Sequence, residues 1–373
     1  MEPIIKSIPL VDLAGQLAPI REEIETGIKR VLDKCNFILG DDVKKFEENF
    51  AEYCGARFAI GVSSGLDAIN LALRGLGIGA GDEVLIPANT FIATAFGVTM
   101  SGATPVPVDV DEQTFMLNLD EAERAITSKT KAIMPVHLYG RMLDLEPWKK
   151  LATKYHLLLV EDAAQAHGAE IKGQRAGSIG AAGCFSFYPG KNLGCYGDGG
   201  MVVTNDLQVK EKIERLRNYG STKKYHHPIV GFNNRLDTIQ AAVLNVKLPH
   251  LDTYNQSRYE VARKYDEALK GIGDLILPET PEKKSHIFHL YIVRTQKRDS
   301  LLEFLGKNGV GAGIHYPVPI HLHEAYSNLG YTKGTFPVSE RLCEEILSLP
   351  MFPEMTDDQI IYVTEKVKQF FRH

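Results

Sequence analysis

The chain has 373 residues, a formal net charge of −5, 44% apolar and 24% charged residues. Such a length calls for a large domain plus a smaller one, and the excess of acid excludes a general nucleic-acid surface while leaving room for a local basic patch. Cysteines at 35, 54, 184, 195 and 343, odd in number and scattered, fit neither a disulfide framework nor a zinc site; a reduced cytoplasmic setting is expected, with no secretory signal in MEPIIKSIPLVDL and no apolar run near the ~18 residues of a membrane span.

Residues 20–35 and 41–53 carry apolar side chains at helical spacing (Ile20, Ile24, Ile28, Val31; Val43, Phe46, Phe50) and predict two helices joined by an irregular apolar link, CNFILG at 35–40. From residue 57 short apolar runs alternate with helical patterns. Strands are expected at 58–62, 83–87, 104–108, 131–136, 157–161, 184–187 and 201–204, and helices at 66–76, 91–100, 119–126 and 146–155. Continuous rather than alternating runs mark strands covered on both faces. The pattern predicts an α/β large domain around a mainly parallel seven-stranded sheet. Residues 207–250 read as helical again, with Leu236, Ile239, Val243 and Val246 on one face. Beyond 250 come a helix at 255–272, a Pro/Glu/Lys-rich loop at 278–284, a strand at 289–295, a helix at 299–308, a strand at 310–315 and helices near 339–349 and 357–371. This divides the chain into a large domain, 1–250, and a smaller α+β domain, 251–373, on which the N-terminal helices are free to pack. Neither G-x-G-x-x-G nor G-x4-G-K-S/T occurs, so the two commonest nucleotide fingerprints are absent.

The stretch GCFSFYPGKNLGCYGDGG (183–200) is an apolar strand ending in a glycine-rich loop with one lysine, Lys191. A lysine at such a mouth is placed for chemistry with a carbonyl, although taken alone a solvated point charge is the commoner use. GVSSGL (61–66) runs from a strand through two serines into a helix, forming a phosphate cradle from a capping hydroxyl and free N–H groups, or simply a well-capped helix. LLVEDAAQAHG (158–168) puts Glu161 and Asp162 at the carboxyl end of a buried strand, where open α/β sheets bind ligands, followed by Gln165 and His167; the plain alternative is a loop charge or cap. PANTFIATA (87–95) opens a helix with Phe91, which can stack on a flat ring or fill core. The segment 218–237 is long, basic and aromatic, fit for phosphate and sugar recognition or for bare solvent. HYPVPIH (315–321) with His323 holds His and Tyr on a proline-stiffened run. Without an accompanying cysteine or carboxylate, no metal is expected there. A phosphate cradle (63–66 with Ser186), a ring stacker (Phe91), an acid (Asp162) and an amine (Lys191) are together the demands of pyridoxal phosphate.

The motifs SSGLDA (63–68), PANTFIATA (87–95), VDVD (108–111), PVHLYG (135–140), EDAAQAHGA (161–169), FSFYPGKNLG (185–194), GDGG (197–200), RNYGS (217–221), NNRLD (233–237) and HYPVP (315–319), in this order, span nearly the whole chain. In them the chain resembles the nucleotide-sugar aminotransferases of the DegT/DnrJ type. The resemblance implies the aspartate-aminotransferase-like fold (fold type I), pyridoxal phosphate as cofactor, and ping-pong transfer of the amino group of L-glutamate to a nucleotide-linked keto sugar. It implies that Lys191 binds the cofactor's aldehyde and Asp162 the pyridine nitrogen, with Gln165 near the ring hydroxyl and Phe91 stacked on the ring. Ser64, Gly65, Leu66 and Ser186 match phosphate contacts. Asn234 matches a residue that reaches the phosphate from a partner subunit, so a homodimer with shared sites is expected. Tyr188, Tyr225, His315 and Tyr316 resemble the substrate contacts of the subset that aminates C3 of a dTDP-3-keto-6-deoxyhexose. Amination at C4 of a UDP- or dTDP-4-keto sugar is the alternative. Related dehydratases carry histidine where this chain has Lys191. A cofactor-binding regulator without turnover is opposed by retention of Lys191 with Asp162, and a nicotinamide oxidoreductase by the missing glycine fingerprint.

Overall fold

A computed structural model describes residues 7–281 and 284–372. Strands β1 (Phe58–Val62), β2 (Glu83–Pro87), β3 (Thr104–Val108), β4 (Thr130–Ile133), β5 (Leu158–Asp162), β6 (Ala182–Ser186) and β7 (Gly200–Thr204) form one sheet in the order β1-β7-β6-β5-β4-β2-β3. Only β7 runs against its neighbours, pairing antiparallel with β1 and β6, so the other six point the same way. The alternation of strand side chains sorts the core into two layers. On β6, Cys184 packs into the cluster of Ile60, Val62, Ile69 and Val98, while Phe185 packs into that of Phe46, Phe50, Leu236 and Leu244. β4 stops at Ile133, short of the expected 136, because Pro135 has no N–H to donate; Val136 then rejoins β5 through a bridge to Asp162.

The large sheet carries helices α1 (Leu13–Leu17), α2 (Arg21–Lys34), α3 (Asp41–Cys54), α4 (Gly65–Gly75), α5 (Ile92–Ser101), α6 (Leu119–Arg124), α7 (Glu146–Tyr155), α8 (Leu207–Arg217) and α9 (Thr238–Lys247). Ile20 and Ile24 of the N-terminal part pack on Val243 of α9, and Phe46 and Phe50 on Leu244, so these helices lie against the large sheet's layer. Ile8 instead joins the core formed by the C-terminal elements. The helical reading of 207–250 is interrupted. Residues 218–237 form an irregular excursion between α8 and α9, with positive φ at Tyr219, Gly220 and Tyr225.

The C-terminal elements are α10 (Leu251–Leu269), β8 (Tyr291–Arg294), α11 (Arg298–Lys307), α12 (Pro337–Glu345), β9 (Ile346–Leu349) and α13 (Asp357–Arg372). Two expectations need correction here. The helix expected to run to 349 ends at Glu345, and Ile346–Leu349 turn into an antiparallel partner of β8, whose backbone N–H and C=O groups need that strand. The strand expected at 310–315 is reduced to two bridges, Ile8–Val310 and Gly313–Ser348. Glycines at 309, 311 and 313 remove the side chains a ladder would pack.

Candidate active site

Because six strands share one direction, their carboxyl ends deliver Ser63–Ser64, Ala88–Phe91, Asp162 and Ser186 to one edge of the sheet, the ligand-binding edge of open α/β sheets. At α4, Ser64 has extended backbone and caps the helix, its Oγ accepting from Asp67 N at 3.0 Å. Gly65 follows because nothing larger fits: a Cβ there would lie 2.6 Å from the Cβ of Ser186. The helix N-terminus and the end of β6 thus meet with their N–H groups and hydroxyls side by side, with half-buried Leu66 in the first turn. The hydroxyls of Ser63 and Ser64 donate to Asp67 Oδ2 at 2.6 and 2.7 Å, and Asn234 Nδ2 donates to Asp67 Oδ1 at 2.7 Å. Asn234 therefore stands beside the cradle of its own chain.

Asp162 closes β5 and is buried. Thr94 Oγ1 donates to its Oδ2 at 2.8 Å and Ala164 N to its Oδ1 at 3.1 Å. Burial pushes this carboxyl up, opposed by the two donors and by the charge of Lys191. Lys191 is half-buried and pairs by no hydrogen bond of its side chain among the described residues. Burial lowers its ammonium to about 8, against the pull of Asp162. The lysine's charge also reaches His167, His289 and His315; burial first, then that charge, holds His167 at about 3 and His315 at about 4 and His289 well below its ordinary range. Lys191 is thus surrounded by neutral imidazoles and one carboxylate.

Gln165 joins two elements, its Oε1 accepting from Tyr139 N at 2.7 Å and its Nε2 donating to Tyr316 Oη at 3.2 Å. The Tyr316 ring lies 4.9 Å from that of Phe91, and Phe91 keeps 46% of its surface exposed at the head of α5. His315 Nδ1 is 2.7 Å from Ser348 Oγ, and its carbonyl accepts from Tyr139 Oη, which locks the 315–316 segment over the sheet edge. Ser64, Gly65, Leu66, Phe91, Asp162, Gln165, Ser186, Lys191, His315 and Tyr316 are therefore assembled around one edge. Tyr188 is at the mouth, exposed, with its carbonyl accepting from Lys191 N at 2.9 Å. Tyr225 is not gathered in. It is 81% exposed on the 218–237 excursion and touches Lys224.

Sequence reasoning missed Thr94, which lies within the PANTFIATA motif and bonds Thr90, four residues before it, in the folded chain. It also read Glu161 with Asp162 as a pair. Glu161 is buried on the opposite side, accepting from the backbone N–H groups of Gly177, Ile179 and Gly180, each at 2.7 Å, and paired with His137 Nε2 at 2.9 Å. Among the described residues no group of three His, Cys, Asp or Glu is placed to hold a metal.

The residues present fit pyridoxal phosphate: a capped helix start opposite Ser186 for an anion, an open aromatic face at Phe91, a buried acid, and a lysine whose amine is neutral at mildly basic pH. The sequence profile of the DegT/DnrJ/EryC1/StrS aminotransferase family matches residues 18–368. The chain belongs to this aminotransferase family. The crystal structure of Streptomyces venezuelae DesV has a TM-score of 0.96 and 44% identity, covering 98% of this chain and 99% of that one. The dTDP-3-amino-3,4,6-trideoxy-alpha-D-glucose transaminase of Streptomyces venezuelae is 45% identical over 97% of this chain and 96% of its own. The UDP-N-acetyl-3-dehydro-alpha-D-glucosamine 3-aminotransferase of Acidithiobacillus ferrooxidans is 46% identical over 97% and 98%. A protein of Geobacillus stearothermophilus named pleiotropic regulatory protein is 45% identical over 98% and 99%. The fold is shared with DesV.

Proposed function

We propose that this chain transfers the amino group of L-glutamate to C3 of a nucleotide-linked 3-keto sugar, most closely a dTDP-3-keto-6-deoxyhexose, using pyridoxal phosphate. The observation that carries the reading is the pairing of a depressed Lys191 with a buried Asp162 beside the Ser64–Gly65–Ser186 cradle. C3 is favoured over C4 because two relatives of similar identity, named for differently linked sugars, both carry position 3 in their names.

Bound pyridoxal phosphate supplies an aldehyde for amines and a ring that draws electrons from the donor carbon. In this reading the cradle holds its phosphate, Phe91 covers a ring face and Gln165 takes its hydroxyl. Asp162, ionised, holds a proton at the ring nitrogen. Lys191 Nζ, set free when the donor amine takes its place, carries the proton from the donor carbon, a task for an amine with pKa near working pH. The same atom returns a proton when the keto sugar follows. Tyr188, His315 and Tyr316 surround the sugar, and Tyr225 reaches toward a neighbouring site.

We infer a homodimer from the family resemblance, and two segments with exposed apolar side chains are its candidate contacts. Phe37, Ile38 and Leu39 lie on the 35–40 link, and Ile229 and Val230 on the 218–237 excursion. The link is tied to the end of that excursion by Thr238 N donating to Phe37 O at 3.0 Å. Exposed apolar side chains suit a protein interface, and a second copy is the partner. In this arrangement Asn234 is assigned to the phosphate cradle, with the partner-subunit contact resting on the family resemblance. The reading places the enzyme in the cytoplasm, where nucleotide sugars and five unpaired cysteines are kept. No helix among the described residues is long and apolar enough to cross a membrane.

The test is borohydride reduction of the protein loaded with pyridoxal phosphate. The reading expects the label on the peptide holding Lys191 and none in Lys191→Ala; a label elsewhere, or turnover by that variant, contradicts it.

A further inference from the structure

The carboxylate of Asp162 is reached by more than one hydroxyl. Thr94 Oγ1 donates to Oδ2 at 2.8 Å, and Thr90 Oγ1 lies 2.9 Å from Thr94 Oγ1. All three side chains are buried. Each hydroxyl owns one hydrogen. With Asp162 ionised, Thr94 gives its hydrogen to Oδ2 and Thr90 gives its own to Thr94, and the chain closes. A proton on Oδ2 would reverse it: Asp162 would donate to Thr94, Thr94 to Thr90, and the Thr90 hydrogen would have no further protein acceptor among the described residues. A proton on Oδ1 would meet the N–H of Ala164, which already donates there at 3.1 Å.

We propose that Thr94, backed by Thr90, is a positioning residue that holds Asp162 ionised and aimed, through a one-way chain of hydroxyl donors. The proposal rests on the reading of Asp162 as the partner of the cofactor's ring nitrogen. The chain is needed because Asp162 sits where burial favours the neutral acid. The other groups facing it are Lys191 from the loop after β6, His137 from the segment after β4, Cys184 on β6 and Tyr316 from the C-terminal part. Cys184 and Tyr316 are both pushed above their ordinary ranges by burial, so neither adds charge near neutral pH. His137 accepts from Leu143 N on Nδ1 at 3.1 Å and turns its Nε2 to Glu161 at 2.9 Å. Of the two charges that favour the ionised acid, Lys191 is the larger and His137 the smaller, and Lys191 is engaged once the cofactor is bound. The hydroxyl chain is then the first of the donors that persist, with the N–H of Ala164 beside it.

The experiment is a 13C-carboxyl NMR titration of the full-length chain, with the Asp162 signal assigned by its loss in Asp162→Asn, repeated for Thr94→Val, Thr94→Ser and Thr90→Val. Retention of pyridoxal phosphate on dilution is measured alongside. Thr94→Val should raise the Asp162 midpoint by about one to two pH units, the worth of one hydrogen bond to a charged acceptor, and release the cofactor faster. Thr94→Ser should restore both. Thr90→Val should give a smaller rise, since Thr94 then loses the donor that strengthens its own bond to Asp162. A wild-type midpoint in Thr94→Val overturns the proposal; a rise in Thr94→Val with none in Thr90→Val overturns the one-way chain. Were Asp162→Asn to leave the loaded enzyme's spectrum and turnover unchanged, the ring-partner reading would fail separately, and the carboxyl titration would still decide what the threonines do.

Discussion

Glu161 and Asp162 are neighbours on β5 whose side chains leave opposite faces of the strand. Asp162 turns to the sheet edge with Thr94 and Lys191. Glu161 turns inward and gathers the N–H groups of Gly177, Ile179 and Gly180 together with His137. One carboxylate faces the candidate site; the other fixes the loop that feeds β6, and through β6 the position of Ser186 and Lys191.

The two acids should therefore fail in different ways. Glu161→Gln sets an amide against N–H donors that had a full carboxylate, and should cost about 3 kcal/mol of stability while the folded fraction keeps most of its turnover. Asp162→Asn should leave the urea midpoint close to wild type and cut kcat by about 100-fold or more. Denaturation curves and kcat measured on both variants check this; an unfolded Asp162→Asn or an inactive but stable Glu161→Gln would reverse the assignment.

Lys191 should capture pyridoxal phosphate with a pH dependence unlike that of a surface lysine. Its ammonium is lowered to about 8 by burial, so the neutral amine dominates above that pH. The capture rate of the cofactor-free chain, followed by stopped-flow absorbance, should climb with pH and level off just above 8. A rate still rising tenfold per unit at pH 9.5 would mean an ordinary lysine.

The apolar surface should disappear on assembly. The chain, of 41.4 kDa, should sediment at twice that mass. The double variant Phe37→Asp, Ile38→Asp puts charge into the proposed contact and should shift the mass toward one chain, with loss of activity. A wild-type monomer, or a charged variant that stays dimeric at micromolar concentration, would remove this surface from the interface.

Much of the fold was legible because buried parallel strands write continuous apolar runs. β1, β2 and β3 match the expected limits residue for residue. The failures have local causes. ILSL at 346–349 is as apolar as a helix end, and only the presence of β8 beside it, a contact made across more than fifty residues, makes it a strand. Pro135 shortened β4 although the apolar run continued. Within the site, Lys191, Asp162, Gln165 and the Ser64–Gly65 start of α4 were visible as motif residues. Thr94 was not singled out because a threonine in a helix has no signature until the carboxylate it serves is placed beside it. Glu161 was overread because adjacency in sequence looks like a pair, whereas a strand turns neighbours apart. Asn234 could be tied to phosphate by resemblance alone; its contact with Asp67 belongs to the folded chain.

The most direct measurement is a half-reaction series on the enzyme loaded with pyridoxal phosphate. Glutamate is added first, then a dTDP-3-keto-6-deoxyhexose or its 4-keto isomer in separate cells, while the visible band of the lysine-linked cofactor is followed. The prediction is that glutamate bleaches the band and that the 3-keto sugar restores it while the 4-keto sugar does not. Restoration by the 4-keto sugar alone would contradict the assignment to C3, and a band that glutamate leaves untouched would contradict transfer from glutamate itself.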